Sequence, residues 1–576
     1  MKKISRSDVS RHHLHILAVV LAGLWAHGLL LLTDYRLWDG WEYALWLGDP
    51  RQLPYLHRLF SEIGRPLDGL FWRPFVGLQN PHVVAKVAGV TAWIAHAVLM
   101  FECLRRPWAL GPTAALAVAM LSVTCPVFRP LGELSLWMNT AAVAIFWAAM
   151  YFVLLCHESD SRTARFAFRG MALVALFLAI NLNSLLVFFY GVAVALFMGR
   201  VSQNGLPAAF AKAAAVMRRY PDILLLPVLF WFWKSWLTPA YGPYAHYNRP
   251  TLDLLAWARG YLVLVMHFLA PVVLEPFTKP GVIAASGLAT VVVFVRLSAY
   301  PTFREAFGVH GLSMRPTVCA AAGVVLLLAA SFPYICVGQV LADEPWLARN
   351  NILTPLPLSL LAVSIAVLLA AKIAPSRPTV WFAGCLAICG LWGASSVAGY
   401  LRLQAFGVKQ LAIRAHMREL IKERIPAVIQ FRDYAAIKGG IPYYPPLIWT
   451  AMAACCDQSP KTLVFDSRIA VPDQQIRNQD GTTDIAMGTL QLSTGDVQRI
   501  IEDTTTAYAL EEIPRRGGQL LLAALPSAIM ENPERLAVEY LLRRWESKAD
   551  VEDWVRKIVE VKVQEIEPIR TESAAR

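Results

Sequence analysis

Long apolar stretches dominate the first 400 residues, and each is close to the length that a helix needs to cross a membrane. About 20 predominantly apolar residues in a helix span a hydrocarbon core roughly 30 Å thick. Such stretches lie at 14–33, 76–102, 109–126, 138–156, 171–199, 222–238, 254–275, 281–298, 317–335, 351–372 and 378–400. The stretch 171–199 is interrupted by the polar sequence NLNS, which indicates two short helices. The sequence therefore predicts about 11–13 transmembrane helices.

Charged residues divide the chain into two parts. Residues 1–400 contain 30 Lys and Arg against 17 Asp and Glu, whereas residues 401–576 contain 23 against 24. A soluble chain is about a quarter charged, but this one is only 16% charged. We therefore predict a polytopic α-helical membrane domain over 1–400 and a soluble domain over 401–576. Helical patterns at 408–425 and 533–547, with short apolar runs AVIQF, KTLVFD and GQLLLAAL, indicate an α+β fold for the second domain.

The cations of the first 400 residues lie mainly in short loops, a pattern that sets membrane orientation and argues against nucleic acid as a partner. Loops rich in Lys and Arg face the cytoplasm. The early cationic loops contain Lys2, Lys3, Arg6, Arg11, Arg105, Arg106, Arg162, Arg165 and Arg169. We expect a cytoplasmic N-terminus, with the C-terminal domain outside. The first loop, residues 34–75, has five arginines against six acids and is also expected outside.

This first outer loop carries the candidate catalytic groups. Asp39 and Glu42 are three residues apart in WDGWEYALWL, and in a helix this spacing puts both carboxylates on one face. Adjacent carboxylates raise each other's pKa, which suits a general base, and they can also share a divalent cation. The alternative is a pair of solvated acids on a surface helix. Secondary candidates in the same loop are Asp34, Tyr43, His57 and Glu62.

Two arginines near membrane exits are candidates for binding a phosphate. Arg65 follows a short predicted helix that ends at Gly64, and Arg349 lies in a later outer segment, just before another span. A planar guanidinium can hold a phosphate through two parallel hydrogen bonds. The alternative for both is an interfacial role, in which a long cationic side chain near a helix end reaches the lipid headgroups.

The order of these features resembles the GT-C superfamily of integral-membrane glycosyltransferases. An acid-bearing loop after the first span, a return ending in Gly-Arg-Pro, many further spans and a soluble tail are similar to bacterial O-antigen glucosyltransferases and, distantly, to protein mannosyltransferases. The resemblance implies a polyprenyl-phosphate-linked sugar as donor, a glycan or envelope acceptor, and a place in the bacterial inner membrane. It implies an inverting transfer with Asp39 as base, Glu42 as second acid, and Arg65 and Arg349 on the donor phosphate.

The chain departs from the adjacent acid pair common in that superfamily, because Gly40 and Trp41 separate Asp39 from Glu42. Which carboxylate is the base, and whether a divalent cation binds to these two acids, therefore stays open. No nucleotide cofactor is expected, since the sequence contains no glycine-rich phosphate loop.

Three other functions compete with this interpretation. A transporter or flippase for lipid-linked saccharides would be expected to show internal repeats, and the sequence shows none. A non-catalytic scaffold of the cell envelope is the second. Within glycosyl transfer, an O-antigen ligase or polymerase is the closest alternative.

Overall fold

A computed structural model describes most of the chain up to residue 423 and part of the remainder. The described residues are 6–269 without 38–39, 49, 51–52, 107–109, 184, 198–204 and 246–248; residue 292; 315–423 without 340, 342–346 and 374–379; six short strands between 428 and 524; and 532–566. The chain forms two compact units. The first unit consists of residues 1–31, 59–71 and 83–399, and the second of residues 32–58, 72–82 and 400–576.

Helices make up nearly all of the described part of the first unit. In chain order, the described helices of the whole protein are α1 (Arg6–His27), α2 (Gly40–Gly48), α3 (Leu53–Glu62), α4 (Asp68–Phe71), α5 (Pro81–Leu104), α6 (Pro112–Thr124), α7 (Trp137–Glu158), α8 (Arg162–Leu182), α9 (Leu186–Phe197), α10 (Gly205–Met217), α11 (Pro221–Trp236), α12 (Leu254–Val263), α13 (Pro316–Ile335), α14 (Pro355–Ile373), α15 (Val380–Glu423), α16 (Pro533–Arg543) and α17 (Lys548–Ile558). Short 3₁₀ segments include Gly28–Leu32, Arg73–Phe75, Arg129–Gly132, Leu134–Leu136, Gly242–Tyr244 and Leu347–Asn351.

Seven helices in the described residues are long and apolar enough to cross a membrane. They cover Ser10–Leu32, Pro81–Leu104, Leu134–Glu158, Arg162–Leu182, Pro316–Ile335, Pro355–Ile373 and Val380–His416. Shorter apolar helices occur at Pro112–Thr124, Val187–Phe197 and Leu254–Met266. The predicted fold class, a polytopic α-helical membrane protein, is confirmed. The predicted span at 281–298 lies almost entirely outside the described residues, so the total of about 11–13 spans stays a prediction.

Glycines allow close packing among the helices of the first unit. A Cβ at Gly23 of α1 would come within 2.7 Å of Ile94, and one at Gly393 of α15 would come within 2.5 Å of the Trp25 ring. Small residues at such contacts let membrane helices approach closely, which strengthens van der Waals packing where lipid offers no hydrophobic driving force. These contacts hold α1 against α5 and α15.

The polar sequence NLNS breaks the apolar stretch 171–199, as predicted, but the helix before it is not short, because α8 has 21 residues and is long enough to cross a membrane. Helix α8 ends at Leu182, its C-cap residue Asn183 has an extended backbone (φ −152°, ψ 152°), and α9 begins at Leu186. Asparagine is disfavoured in helix interiors because its side chain competes for backbone hydrogen bonds. The break leaves two buried amides, Asn181 and Asn183, at the end of α8.

The described strands of the second unit form two sheets. The larger has the order β2–β1–β6–β7, built from β1 (Val428–Asp433), β2 (Leu463–Asp466), β6 (Gly518–Ala524) and β7 (Glu560–Ile566). Strand β1 is parallel to β2 and β6, and β7 is antiparallel to β6. The smaller sheet is antiparallel and contains β3 (Gln475–Arg477), β4 (Thr483–Met487) and β5 (Leu490–Ser493). Strands β1, β2 and β6 correspond to the three apolar runs selected from the sequence.

Helix α15 continues past residue 400, where the sequence analysis places a domain boundary. It runs without interruption over 44 residues, which is about 66 Å at 1.5 Å per residue. Its residues from Tyr400 onward belong to the second unit, together with the loop segments 32–58 and 72–82. The second unit therefore contains much of the first loop as well as the C-terminal residues.

Candidate functional site

The turn after α3 fixes the position of Arg65. The N–H of Gly64 donates to the Ser61 carbonyl at 3.0 Å, and the N–H of Arg65 donates to the Phe60 carbonyl at 2.7 Å. These two bonds form the Schellman motif, which satisfies carbonyls at a helix end. Gly64 has φ +77°, a left-handed conformation that glycine adopts without steric cost. The predicted helix end at Gly64, with Arg65 at the turn, is confirmed.

Gly64 also lies directly against the backbone that follows α11. A Cβ at Gly64 would come within 2.7 Å of the Thr238 carbonyl oxygen and 3.0 Å of the Ala240 nitrogen. The N–H of Tyr241 donates to the carbonyl of Glu62 at 2.9 Å. Glu62, a secondary candidate from the sequence, is itself buried at 5% exposure. A glycine is therefore required at position 64 both by its φ and by this close approach.

The Arg65 guanidinium joins this turn to the end of α8. Its Nε lies 3.0 Å from Oδ2 of Asp68, and Nε and Nη2 donate to the Asn181 carbonyl at 3.2 and 2.8 Å. Nη2 also donates to the Leu182 carbonyl. The last carbonyls of a helix have no intrahelical partner, and a cation there also interacts favourably with the helix dipole. Within the described residues, Nη1 of Arg65 makes no hydrogen bond.

Asp68 is fully buried beside this guanidinium, and the sequence analysis did not select it. Asn181 Nδ2 donates to Asp68 Oδ1 at 2.7 Å. Burial raises the pKa of the Asp68 carboxyl, whereas Arg65, Lys234 and the hydrogen bond from Asn181 lower it. A carboxylate buried without partners would be strongly destabilising. The available signal was the three-residue spacing between Arg65 and Asp68, typical of paired charges on one helical turn.

Lys234 adds a second cation to this region. It is half-buried near the end of α11, and its ammonium group acts electrostatically on both Arg65 and Asp68. Sequence analysis did not select Lys234, because a single lysine near the end of an apolar stretch is typical of an interfacial residue.

Arg349 and Arg65 both act electrostatically on Tyr334. The Tyr334 hydroxyl donates to Asn183 Oδ1 at 3.1 Å, and both guanidinium groups act electrostatically on this hydroxyl. Arg349 is half-buried in the 3₁₀ segment Leu347–Asn351, which precedes α14. The two arginines selected from the sequence are far apart along the chain, yet both lie near the same tyrosine.

We call these residues the cation cluster; its members are Arg65, Asp68, Asn181, Asn183, Lys234, Tyr334 and Arg349. The cluster contains three cations and one carboxylate, and so has an excess of positive charge. It forms where α8, α11 and α13 end, within the first unit. Cations with fixed geometry, a phenol hydroxyl and buried amides together suit an anionic group such as a phosphate.

The two acids predicted to be catalytic are not among the side chains that the structure describes. Asp39 lies outside the described residues. Glu42 lies on α2, but its side chain is also outside the described set. Helix α2 begins at Gly40 in the first loop, so the helical conformation assumed for Glu42 is confirmed. The catalytic roles of both acids stay predictions.

Two of the remaining secondary candidates have clear surroundings. Tyr43 is 7% exposed, and its ring centroid lies 4.6 Å from that of Trp72 and 5.4 Å from that of Trp46. Asp34 accepts a hydrogen bond from the Tyr540 hydroxyl at 2.9 Å. These contacts indicate packing for Tyr43 and anchoring for Asp34. His57 is half-buried on α3.

No group of three or more His, Cys, Asp or Glu side chains in the described ranges could hold a metal ion. The only residues that the sequence analysis offered for a divalent cation were Asp39 and Glu42, whose side chains are not described. Whether a divalent cation binds to Asp39 and Glu42 therefore stays open.

The apolar helices and the cation cluster define an integral membrane protein with a positively charged site at a set of helix ends. No family model matches the chain, and no curated protein matches it. Among solved structures, the chain is similar to ArnT from Cupriavidus metallidurans bound to undecaprenyl phosphate, at 13% identity over 90% of this chain and 93% of that one, with a TM-score of 0.33. A TM-score of this size is too low to assign a fold.

Proposed function

We propose that the chain is a membrane glycosyltransferase. It moves a sugar from a polyprenyl-phosphate donor to a glycan or another envelope molecule on the outer side of the bacterial inner membrane. The observation that carries the proposal is the cation cluster, in which Arg65 and Lys234 act on the buried Asp68 carboxylate and Arg65 and Arg349 act on the Tyr334 hydroxyl, at the ends of apolar helices. A lipid phosphate needs such a site, because its chain stays in the membrane while its charged headgroup requires cationic partners.

The cluster can bind a phosphate with several groups at once. Among the described residues Nη1 of Arg65 donates to no protein atom, so its donors can serve a ligand while Nε and Nη2 anchor the side chain. Lys234 supplies a compact charge, and Arg349 supplies a second guanidinium that acts on Tyr334. Hydrogen bonds to charged groups contribute about 1.5–3 kcal/mol each, so two or three of them suffice for selective retention of the headgroup.

The reaction follows from these roles and from the predicted acid. Asp39 accepts the proton of an acceptor hydroxyl, the hydroxyl oxygen forms a bond to the anomeric carbon, and the bond from that carbon to the phosphate oxygen breaks with inversion. The departing lipid phosphate keeps the electron pair of that bond. Arg65, Lys234 and Arg349 stabilise the negative charge that develops on it, which is usually the largest single contribution to such catalysis. Glu42 is the alternative base.

The first test is binding of the headgroup. We expect Lys234→Met to weaken binding of undecaprenyl phosphate to the full-length protein in nanodiscs by about 10–100-fold, the equivalent of one hydrogen bond to a charged group. Arg535→Met is the matched control, since this arginine is 77% exposed on α16 and pairs only with Glu539 among described residues. Equal affinity of wild type and Lys234→Met would remove the cluster from the donor site.

The second test distinguishes transfer from transport and from scaffolding. A transferase releases free polyprenyl phosphate, whereas a flippase moves the lipid-linked sugar intact. In a strain lacking the gene, mass spectrometry should show accumulated lipid-linked sugar and a missing surface sugar. The wild-type gene should restore the surface sugar and clear the accumulated lipid-linked sugar, and Asp39→Asn at equal expression should do neither. Full restoration by Asp39→Asn would favour a scaffold.

A further inference from the structure

The first residues of the outer loop are held against the second half of α15. Gln404 Oε1 accepts a hydrogen bond from the N–H of Asp34 at 2.6 Å. Gln410 pairs with Arg36 in both directions: its Oε1 accepts from the Arg36 N–H at 3.4 Å, and its Nε2 donates to the Arg36 carbonyl at 2.8 Å. Two glutamines of one helix therefore bind the backbone of the loop at two points, and all of these residues belong to the second unit.

Gly407 lies between the two glutamines and sets how closely the loop approaches. A Cβ at this position would come within 2.8 Å of the Tyr35 Cα and 2.9 Å of its nitrogen. The contact is with backbone atoms, which cannot rotate out of the way as a flexible side chain can. Tyr35 thus lies directly against α15 at Gly407.

Helix α16 holds the same stretch from a second direction. The Tyr540 hydroxyl donates to Asp34 Oδ2 at 2.9 Å, and Nη2 of Arg544 lies 3.4 Å from Oδ1. Arg544 also donates to the carbonyl of Leu32. Burial, followed by the charge and hydrogen bond of Asp34, raises the pKa of Tyr540, so the phenol remains a neutral donor at physiological pH.

Trp41, two residues after Asp39, contacts α15 as well. The Trp41 ring is 2% exposed, and its centroid lies 4.3 Å from the guanidinium carbon of Arg36 and 5.6 Å from that of Arg414. Guanidinium groups within about 6 Å of an aromatic ring contribute favourable cation–π energy. The predicted catalytic acids are therefore bracketed, with Asp34 to Arg36 anchored before them and Trp41 anchored between Asp39 and Glu42 in the sequence.

We propose that residues 400–414 of α15, together with α16, position the acid-bearing loop for catalysis; this inference rests on the proposed function. The glutamines, Gly407, Tyr540 and Arg414 are positioning residues, because they act through the loop backbone and Trp41. The C-terminal part of the chain then serves the reaction by orienting the base. A misplacement of about 1 Å at a reacting group can lower the rate by about 100-fold, so a loose anchor lowers turnover without altering donor binding.

The experiment compares two glycine variants of the same helix in the full-length protein. Gly407→Ala adds a methyl group against the Tyr35 backbone, whereas Gly384→Ala adds one whose nearest neighbour is Ala366 at 3.9 Å, an ordinary contact. A third variant, Tyr540→Phe, removes a single hydroxyl and keeps the ring. Three quantities are measured: hydrogen exchange of the Asp34 and Arg36 amides, affinity for undecaprenyl phosphate, and release of polyprenyl phosphate from extracted lipid-linked sugars.

We expect faster exchange of the Asp34 and Arg36 amides in Gly407→Ala, a kcat about 10–100-fold lower, and unchanged affinity for undecaprenyl phosphate. Tyr540→Phe should show the same pattern with a smaller effect, and Gly384→Ala should match wild type. Unchanged exchange in Gly407→Ala overturns the docking, and faster exchange with full turnover overturns the positioning role. If Gly407→Ala and Tyr540→Phe also bind undecaprenyl phosphate more weakly, the positioning role is overturned as well, because a loss of affinity indicates general unfolding. If the wild-type protein binds undecaprenyl phosphate but never releases polyprenyl phosphate from lipid-linked sugars, the proposed function itself is refuted, and the positioning role with it.

Discussion

Replacing Gly64 by alanine tests how the Arg65 guanidinium is brought to the cation cluster. Gly64 has φ +77°, where an L-residue costs about 1–2 kcal/mol. The new methyl group would also lie 2.7 Å from the Thr238 carbonyl oxygen, and overpacking of this kind costs typically 1–3 kcal/mol. We expect Gly64→Ala to lower the free energy of unfolding by about 2–5 kcal/mol, the sum of both contributions.

Gly77→Ala is the matched control for backbone strain. Gly77 has nearly the same φ, +76°, but a Cβ there would have no heavy atom within 4 Å. The control should therefore lose only the strain energy of about 1–2 kcal/mol. The difference between the two variants isolates the contact with the backbone after α11.

The assay is thermal unfolding of the full-length protein in nanodiscs, followed by titration with undecaprenyl phosphate. Gly64→Ala moves the turn that carries Arg65, so it should weaken lipid-phosphate binding as well as lower the melting temperature. Gly77→Ala should bind as wild type does. If the two variants lose equal stability and bind lipid phosphate equally well, the close approach to Thr238 does not position Arg65.

Two further substitutions probe the polar groups of the cluster. Because burial raises the pKa of Asp68 above its ordinary value of 3.8, the folded state binds its proton more tightly, and stability falls as the pH rises from 3.8 through the raised value. Asp68→Asn should remove this pH dependence from a series of thermal-unfolding curves, and a slope equal to that of wild type would contradict it. Tyr334→Phe removes the hydroxyl that donates to Asn183 and so leaves this amide less firmly oriented in the cluster; we expect about 0.5–1.5 kcal/mol weaker lipid-phosphate binding, measured by titration, and unchanged or tighter binding would contradict a role for this pair.

Local signals in the sequence predicted the parts of the site that depend on neighbouring residues. The NLNS interruption indicated the end of α8, and the order Gly64-Arg65-Pro66 indicated a helix end with an arginine at the turn; the structure contains both features. Both follow from backbone chemistry within a few residues, namely amide competition and the left-handed glycine. Such features need no knowledge of the tertiary fold.

The sequence could not predict which distant residues would join them. Lys234 and Tyr334 are single polar residues in apolar helices, and nothing near them in the chain distinguishes a site residue from an interfacial one. The role of Asp34 was likewise hidden, since its partners Gln404 and Tyr540 lie hundreds of residues away. Contacts of this kind depend on how helices pack, which periodicity alone does not determine.

The hydrogen bonds of Arg65 to α8 determine which substitutions the end of this helix tolerates. The carbonyls of residues 181 and 182 are present whatever side chains stand there, so exchange of Leu182 for another apolar residue leaves the arginine in place. Only Asn181 is constrained through its side chain, by the bond to Asp68. Under the proposed function, apolar substitutions at Leu182 can therefore alter the neighbourhood of this arginine while its hydrogen bonds to α8 are kept.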